Sequence, residues 1–192
     1  PALRWLSAYG IIMIVLNHIP YEFYQPYLDQ LLTGPMLFDN PTPLSSGIIT
    51  LITMVIAGQV AGRSIAIRDR LGLAPTLLLG TALQTLIIAV MAFVVHPAVV
   101  LLIALRSCPR AIMTAPRNAA VNPLIAEDHR ATYLSLESLA GRLTFSATLY
   151  GLAQLSEDGS ALQSALFAAT ALAIVGLGIL WVTSRGLKKT PL

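Results

Sequence analysis

The sequence predicts an all-α membrane protein, a bundle of six transmembrane helices arranged as a nested 3+3 repeat. Three observations carry that prediction. The 192 residues are 56% hydrophobic and only 11% charged, with a mean hydropathy of +0.74, whereas an ordinary soluble domain carries about 25% charge. Six apolar stretches each approach or exceed the roughly 20 helical residues that a hydrocarbon core of about 30 Å requires. Finally, the basic residues outside these stretches fall only in alternate connectors.

The spans follow in order. The first, 5–31, carries the polar run NHIPYEFYQPYLD with Pro20 and Pro26, and is expected to be broken there. The second, 44–62, starts after the turn-rich TGPMLFDNPTP. The third, 73–95, contains no charge and ends at His96-Pro97. The fourth, 98–121, holds Arg106, Arg110 and Arg117 together with Pro109 and Pro116, so its backbone is also expected to break. The fifth, 131–155, follows NPLIAEDHR and carries Glu137 and Arg142. The sixth, 160–183, follows SEDG and is again free of charge. A Pro-rich polar helix followed two spans later by a charge-free one occurs in both halves, which is the 3+3 pattern.

Of the 12 basic residues, eight lie in alternate connectors or ends: Arg4, Arg63, Arg68, Arg70, Arg130, Arg185, Lys188 and Lys189. The intervening loops, 32–43, 96–97 and 156–159, have none. Because Lys and Arg are retained in the cytoplasm, both ends of this segment are expected on the cytoplasmic side of the inner membrane. The chain begins at Pro1 without methionine and without a leader pattern, so further residues are expected upstream.

Ionised side chains inside spans cost roughly 2.5–3.5 kcal/mol each even on a lenient insertion scale. They are therefore expected to turn toward a bundle interior or a wet cavity, leaving spans three and six to face lipid. At 100° per residue, Arg106, Arg110 and Arg117 fall on one stripe. At 1.5 Å per residue, Glu22 comes level with Arg106 and Arg142 at roughly 12–14 Å from the outer face, and Glu137 comes level with Arg110. Opposite charges at equal depth lower each other's burial cost.

These positions give the candidate site. Glu22 is the candidate for proton coupling, because moving a carboxylate between water, lipid and a nearby cation changes its proton affinity; a fixed ion pair with Arg106 or Arg142 is the competing reading. Asn17, His18, Tyr21, Gln25, Gln59, Arg106, Arg110 and Arg142 are candidates for lining a substrate cavity. The arginines could contact an anionic substrate or serve as interhelical counter-ions. Asp69, Arg70, Arg117 and Glu137 are candidates for a cytoplasmic gate, with snorkelling as the alternative for Arg117.

Three stretches resemble the C-terminal six-helix half of a major facilitator superfamily transporter of bacterial type. The run ALRSCPRAIMTAPRNAAVNPLIAEDHRATYLSLESLAGRLTFSATLYG, residues 104–151, is similar to the fourth and fifth helices of that half. YEFYQPYLD, with its glutamate followed by a proline, is similar to the first. DRLG, Asp69 to Gly72, resembles the end of the loop motif G-x-x-x-D-R-x-G-R-[RK]; here Ile65 replaces the first glycine and Leu73-Ala74 the trailing basic pair. The resemblance implies a preceding six-helix half, twelve helices in all, and a cavity lined by spans one, two, four and five.

Other function classes lack their residues. An intramembrane serine protease needs a histidine on a helix facing its nucleophile, and no span beyond the first contains one. Three scattered histidines and one cysteine have no metal-ligand spacing. Nucleic-acid binding would need a basic stripe, and there is none. No nucleotide fingerprint appears, so no cofactor is expected and energy would come from an ion gradient. The expected function is proton-coupled secondary active transport of a small molecule across the cytoplasmic membrane by alternating access. Efflux of small amphipathic compounds is favoured by analogy, and uptake of an organic anion, from the excess of cavity arginine over carboxylate, comes second. A non-transporting receptor or assembly protein on the same fold is the alternative. The partners expected are the missing half, the bilayer, the substrate and protons.

Overall fold

The computed structural model describes residues 2–32, 42–154 and 161–185. Among them every regular element is helical: α1 (Ala2–Leu32), α2 (Thr42–Leu71), α3 (Leu73–Phe93), α4 (Val99–Ile103), α5 (Cys108–Val121), a 3₁₀ turn (Asn122–Leu124), α6 (Glu127–Gln154) and α7 (Ala161–Ser184). The basic residues Lys188 and Lys189, and most of loops 32–43 and 156–159, lie outside the described residues.

Five described stretches are long and apolar enough to cross a membrane: Ala2–Gln30, Ser46–Leu71, Leu73–Phe93, Val99–Leu124 and Leu162–Ser184. By length and composition this is a multi-pass membrane protein. The 28-residue α6 is long enough, at about 42 Å, but Glu127, Asp128, Arg130, Glu137 and Arg142 make it the most charged of the long helices. It is the expected span that falls short on composition.

Local sequence explains where the helices stop. The helix expected to end near residue 62 runs on to Leu71, because RSIAIRDRL contains no breaker. Gly72 then makes a one-residue turn at φ +86°, a conformation that glycine adopts without a Cβ clash. The fourth span breaks as expected at Pro109. Residues 104–107 form a tight turn with bonds such as Arg106 N–H to the Ile103 carbonyl (3.0 Å) and Cys108 N–H to the Leu105 carbonyl (2.9 Å), and Pro109 stands in the first turn of α5, where its missing donor costs nothing. Pro116 stays inside α5. The first span does not break: α1 is continuous through Pro20 and Pro26. A proline removes one ladder bond, and in α1 the intact ladder on both sides carries the helix across.

α3 packs most extensively on α7, α2 on α5, α1 on α6, and α3 also on α5. Trp5 pins the start of α1 to the end of α7 by donating to the Leu180 carbonyl (3.3 Å) and the Thr183 hydroxyl (3.1 Å). Tyr9, fully buried, donates to the Leu77 carbonyl of α3 at 3.0 Å. Both charge-free helices are buried on one side and open on another: Leu79, Ala82, Leu86 and Phe93 of α3 and Ile174, Val175 and Ile179 of α7 are exposed. In α3, 56% of the apolar window is buried, against 33% in α7 and 17% in α2. A helix without charge suits the middle of a bundle as well as lipid, and the polar side chains of α3 are mostly satisfied within it. Thr76, Thr81 and Thr85 each donate back to the carbonyl four residues earlier.

Candidate functional site

Two hollows join into one cleft. The first, of about 560 Å³, lies between α1, α5 and α6 and is lined by Asn17, His18, Arg110, Arg117, Glu137 and Arg142 among others. The second, of about 380 Å³, lies between α1, α2 and the 104–107 turn and is lined by Asn17, His18, Tyr21, Met54, Arg106, Ser107 and Arg110. They share Asn17, His18 and Arg110. α3 and α7 contribute no lining residue to either.

The three arginines of the broken span each do something different. Arg106 is buried, with no carboxylate partner among the described residues. Its guanidinium donates to the Thr53 hydroxyl (3.0 Å), the Thr50 hydroxyl (3.1 Å) and the Ile103 carbonyl (3.4 Å), and lies 4.2 Å over the Tyr24 ring. The tight turn before Pro109 aims it at α2, away from a straight-helix stripe. Arg110 is exposed and faces both hollows. Arg117 is buried and pairs with Glu137 at 2.5 Å, both side chains only 8% exposed. Two more of its N–H groups donate to the Leu6 carbonyl of α1, at 3.2 Å, so one ion pair ties α1, α5 and α6.

Several expected pairings are therefore corrected. Glu137 meets Arg117, not Arg110. Helical side chains lean toward the N-terminus of their own helix, and α5 and α6 run in opposite directions, so the two heads approach each other from different depths. Glu22 does not pair with Arg106 or Arg142: it is exposed on α1, lines neither hollow, and has no ion-pair partner among the described residues. Position level with a cation was not enough, because Glu22 sits on the flank of α1 next to the cleft face. Gln25 and Gln59 are likewise exposed and outside both hollows; Gln25 bonds Tyr24 and Ser46. Of the gate candidates, Asp69 pairs with its neighbour Arg68 at 2.7 Å, and Arg70 is exposed at the end of α2; neither reaches the Arg117–Glu137 pair.

No family model, curated protein or solved structure matches this chain. The chemistry of the cleft must be read from its own side chains. Its one carboxylate, Glu137, is engaged by Arg117, while Arg110 and Arg142 stand exposed without an ion-pair partner among the described residues. The cleft is thus net positive. His18 bonds the Ile14 carbonyl through Nδ1 at 2.7 Å; a carbonyl only accepts, so Nδ1 carries the proton. Its ring lies 5.0 Å from that of Phe145. Asn17 Oδ1 is buried with no hydrogen-bond partner among the described residues. No three His, Cys, Asp or Glu side chains converge among the described residues.

The sequence reading missed Gly10, Thr50 and Thr53. A Cβ at Gly10 would run into Arg117 and Glu137, so glycine makes the space for the pair. Thr50 and Thr53 stand three apart, on one helix face, which was the available signal that α2 offers hydroxyls to a cation.

Proposed function

We propose that this chain is one six-helix half of a secondary active transporter of the major facilitator type, and that its cleft carries a small organic anion across the cytoplasmic membrane. The observation that carries the reading is the pair of guanidiniums, Arg110 and Arg142, that face a wet cleft without carboxylate partners. A guanidinium open to the cleft and free of a carboxylate can pair with a carboxylate or sulfonate through charge-assisted hydrogen bonds, and an anionic substrate supplies that group for the time that it is bound. Among the substrate readings this favours the anion over an amphipathic compound.

The packing supports the nested repeat. Exchanging the first three spans with the last three turns the α2–α5 contact into α6–α1, α3–α5 into α7–α1 and α2–α3 into α6–α7, and leaves α3–α7 unchanged. The α1–α3 and α1–α2 contacts have no counterparts of like extent. A second half closing over the cleft gives alternating access around a central site. Glu22, beside Tyr21 on the open flank of α1, is the carboxylate proposed to couple a proton.

Flux in liposomes holding the full-length protein tests this. Small carboxylates and sulfonates should be transported and matched cations should not. Arg110→Gln and Arg142→Gln should each lower anion flux at least tenfold while protein level is kept. Glu22→Gln should abolish pH-driven flux; coupling retained in that variant refutes its role, and no anion flux in the wild type refutes the whole reading.

A further inference from the structure

On the side of the bundle away from the cleft, α3 and α7 leave a groove of about 1000 Å³. Ala74, Leu78 and Ala82 line it from α3, and Ile174, Leu177 and Gly178 from α7. It shares no lining residue with the cleft. One end differs in chemistry. There Trp181, Ser184 and Arg185 line the groove, and the exposed Arg185 guanidinium lies 4.1 Å over the Trp181 ring. Arg185 has no carboxylate partner among the described residues. Leu71, the last residue of α2, lines the same groove, and its neighbour Arg70 is exposed.

We propose that this groove binds an anionic phospholipid, its acyl chain along the α3–α7 seam and its phosphate on Arg185. The length fits one leaflet: the eleven residue steps from Ile174 to Arg185 span about 16 Å, half of a hydrocarbon core of about 30 Å. The charge fits as well. An apolar trough with a cation at one mouth matches a molecule with an apolar tail and an anionic head. The ring of Trp181 holds the guanidinium at that mouth by a cation–π contact, so little side-chain freedom is lost when the phosphate arrives. This site is independent of what the cleft transports; it requires only that the chain sits in a bilayer.

Native mass spectrometry of the full chain in detergent, with phosphatidylglycerol or phosphatidylcholine of identical acyl chains, tests it. Wild type should retain phosphatidylglycerol about fivefold more strongly, the effect of one basic residue at a lipid surface. Arg185→Gln should bring both lipids to the phosphatidylcholine level, and Arg185→Lys should restore most of the preference. Gly178→Phe should weaken both lipids, since a Cβ at 178 meets nothing within 4 Å and the ring can lie in the groove. Equal retention of the two lipids by wild type overturns the proposal, whatever the variants do. So does unchanged binding in Gly178→Phe, or a dimer that Gly178→Phe splits, which would give the groove to a second copy.

Discussion

Arg117 and Glu137 are the residues on which the cleft's charge depends. Their pair is nearly dehydrated, at 2.5 Å and 8% exposure on each side, and removing one member leaves the other buried and unpaired. That costs about 3–5 kcal/mol, whereas replacing both with apolar residues of similar volume is close to neutral. Glu137→Leu alone should therefore lower stability by that amount, and Arg117→Met with Glu137→Leu should recover most of it. Thermal unfolding in detergent reads the cycle; additive losses would mean that the pair does not act as a unit. Arg106 shows a different solution to the same burial problem. It has no anionic partner among the described residues, and two threonine hydroxyls, a carbonyl and an aromatic face take that place. Sequence indicated that these arginines turn inward. It did not indicate their partners, because depth along a span says nothing about the direction in which a side chain leans.

At the scale of the element, two small residues set the geometry. Gly72 connects α2 to α3 in a single residue at positive φ. A residue with a Cβ there pays roughly 1–3 kcal/mol, so Gly72→Ala should lower the unfolding midpoint by that equivalent while Gly62→Ala, where a Cβ meets open space, should not. Equal behaviour of the two variants would show that the turn tolerates a side chain. Gly141 brings α6 against α1, with Ile14 Cβ and Cγ2 3.0 Å from where its own Cβ would stand; small residues at such crossings let the backbones approach. Both glycines stand out in the sequence. The fates of the prolines do not: Pro109 stands in the first turn of α5 just after the break at 104–107, whereas Pro20, Pro26 and Pro116 are held inside helices. The same ring gives either result, depending on whether neighbouring helices hold the two flanks in line.

The whole molecule carries a cleft lined by charged and polar side chains on α1, α5 and α6 and an apolar groove on α3 and α7. Cysteines placed at Thr114 or Ser138, in the cleft lining, should react with a water-soluble thiol reagent in a Cys108→Ser background. A cysteine at Ile174, in the lining of the α3–α7 groove, should not. Labelling at 174 as fast as at 114 would remove the distinction between the two sides. The number of crossings is a second property of the whole. Six crossings bring the start of α1 and the end of α7 to one side of the membrane; five bring them to opposite sides. Reporter fusions at the two ends should report the same compartment, and opposite compartments would show that the charged α6 lies outside the bilayer core.

Composition and hydropathy by themselves determined that the chain is helical and membrane-bound, since every backbone polar group in lipid must be satisfied within its own segment. The spacing of charge, proline and glycine located the spans to within a few residues, apart from α2, whose helix extends through the basic connector to Gly72. Tertiary structure alone decided which face of α1 meets the cleft, leaving Glu22 on its flank, and which partner each arginine found. It also buried one side of the charge-free α3 against α1, α5 and α7 while leaving a stripe through Leu79 and Leu86 exposed. The reason is that periodicity measures polarity around one helix, whereas partner choice depends on how several helices cross, and no single helix carries that information.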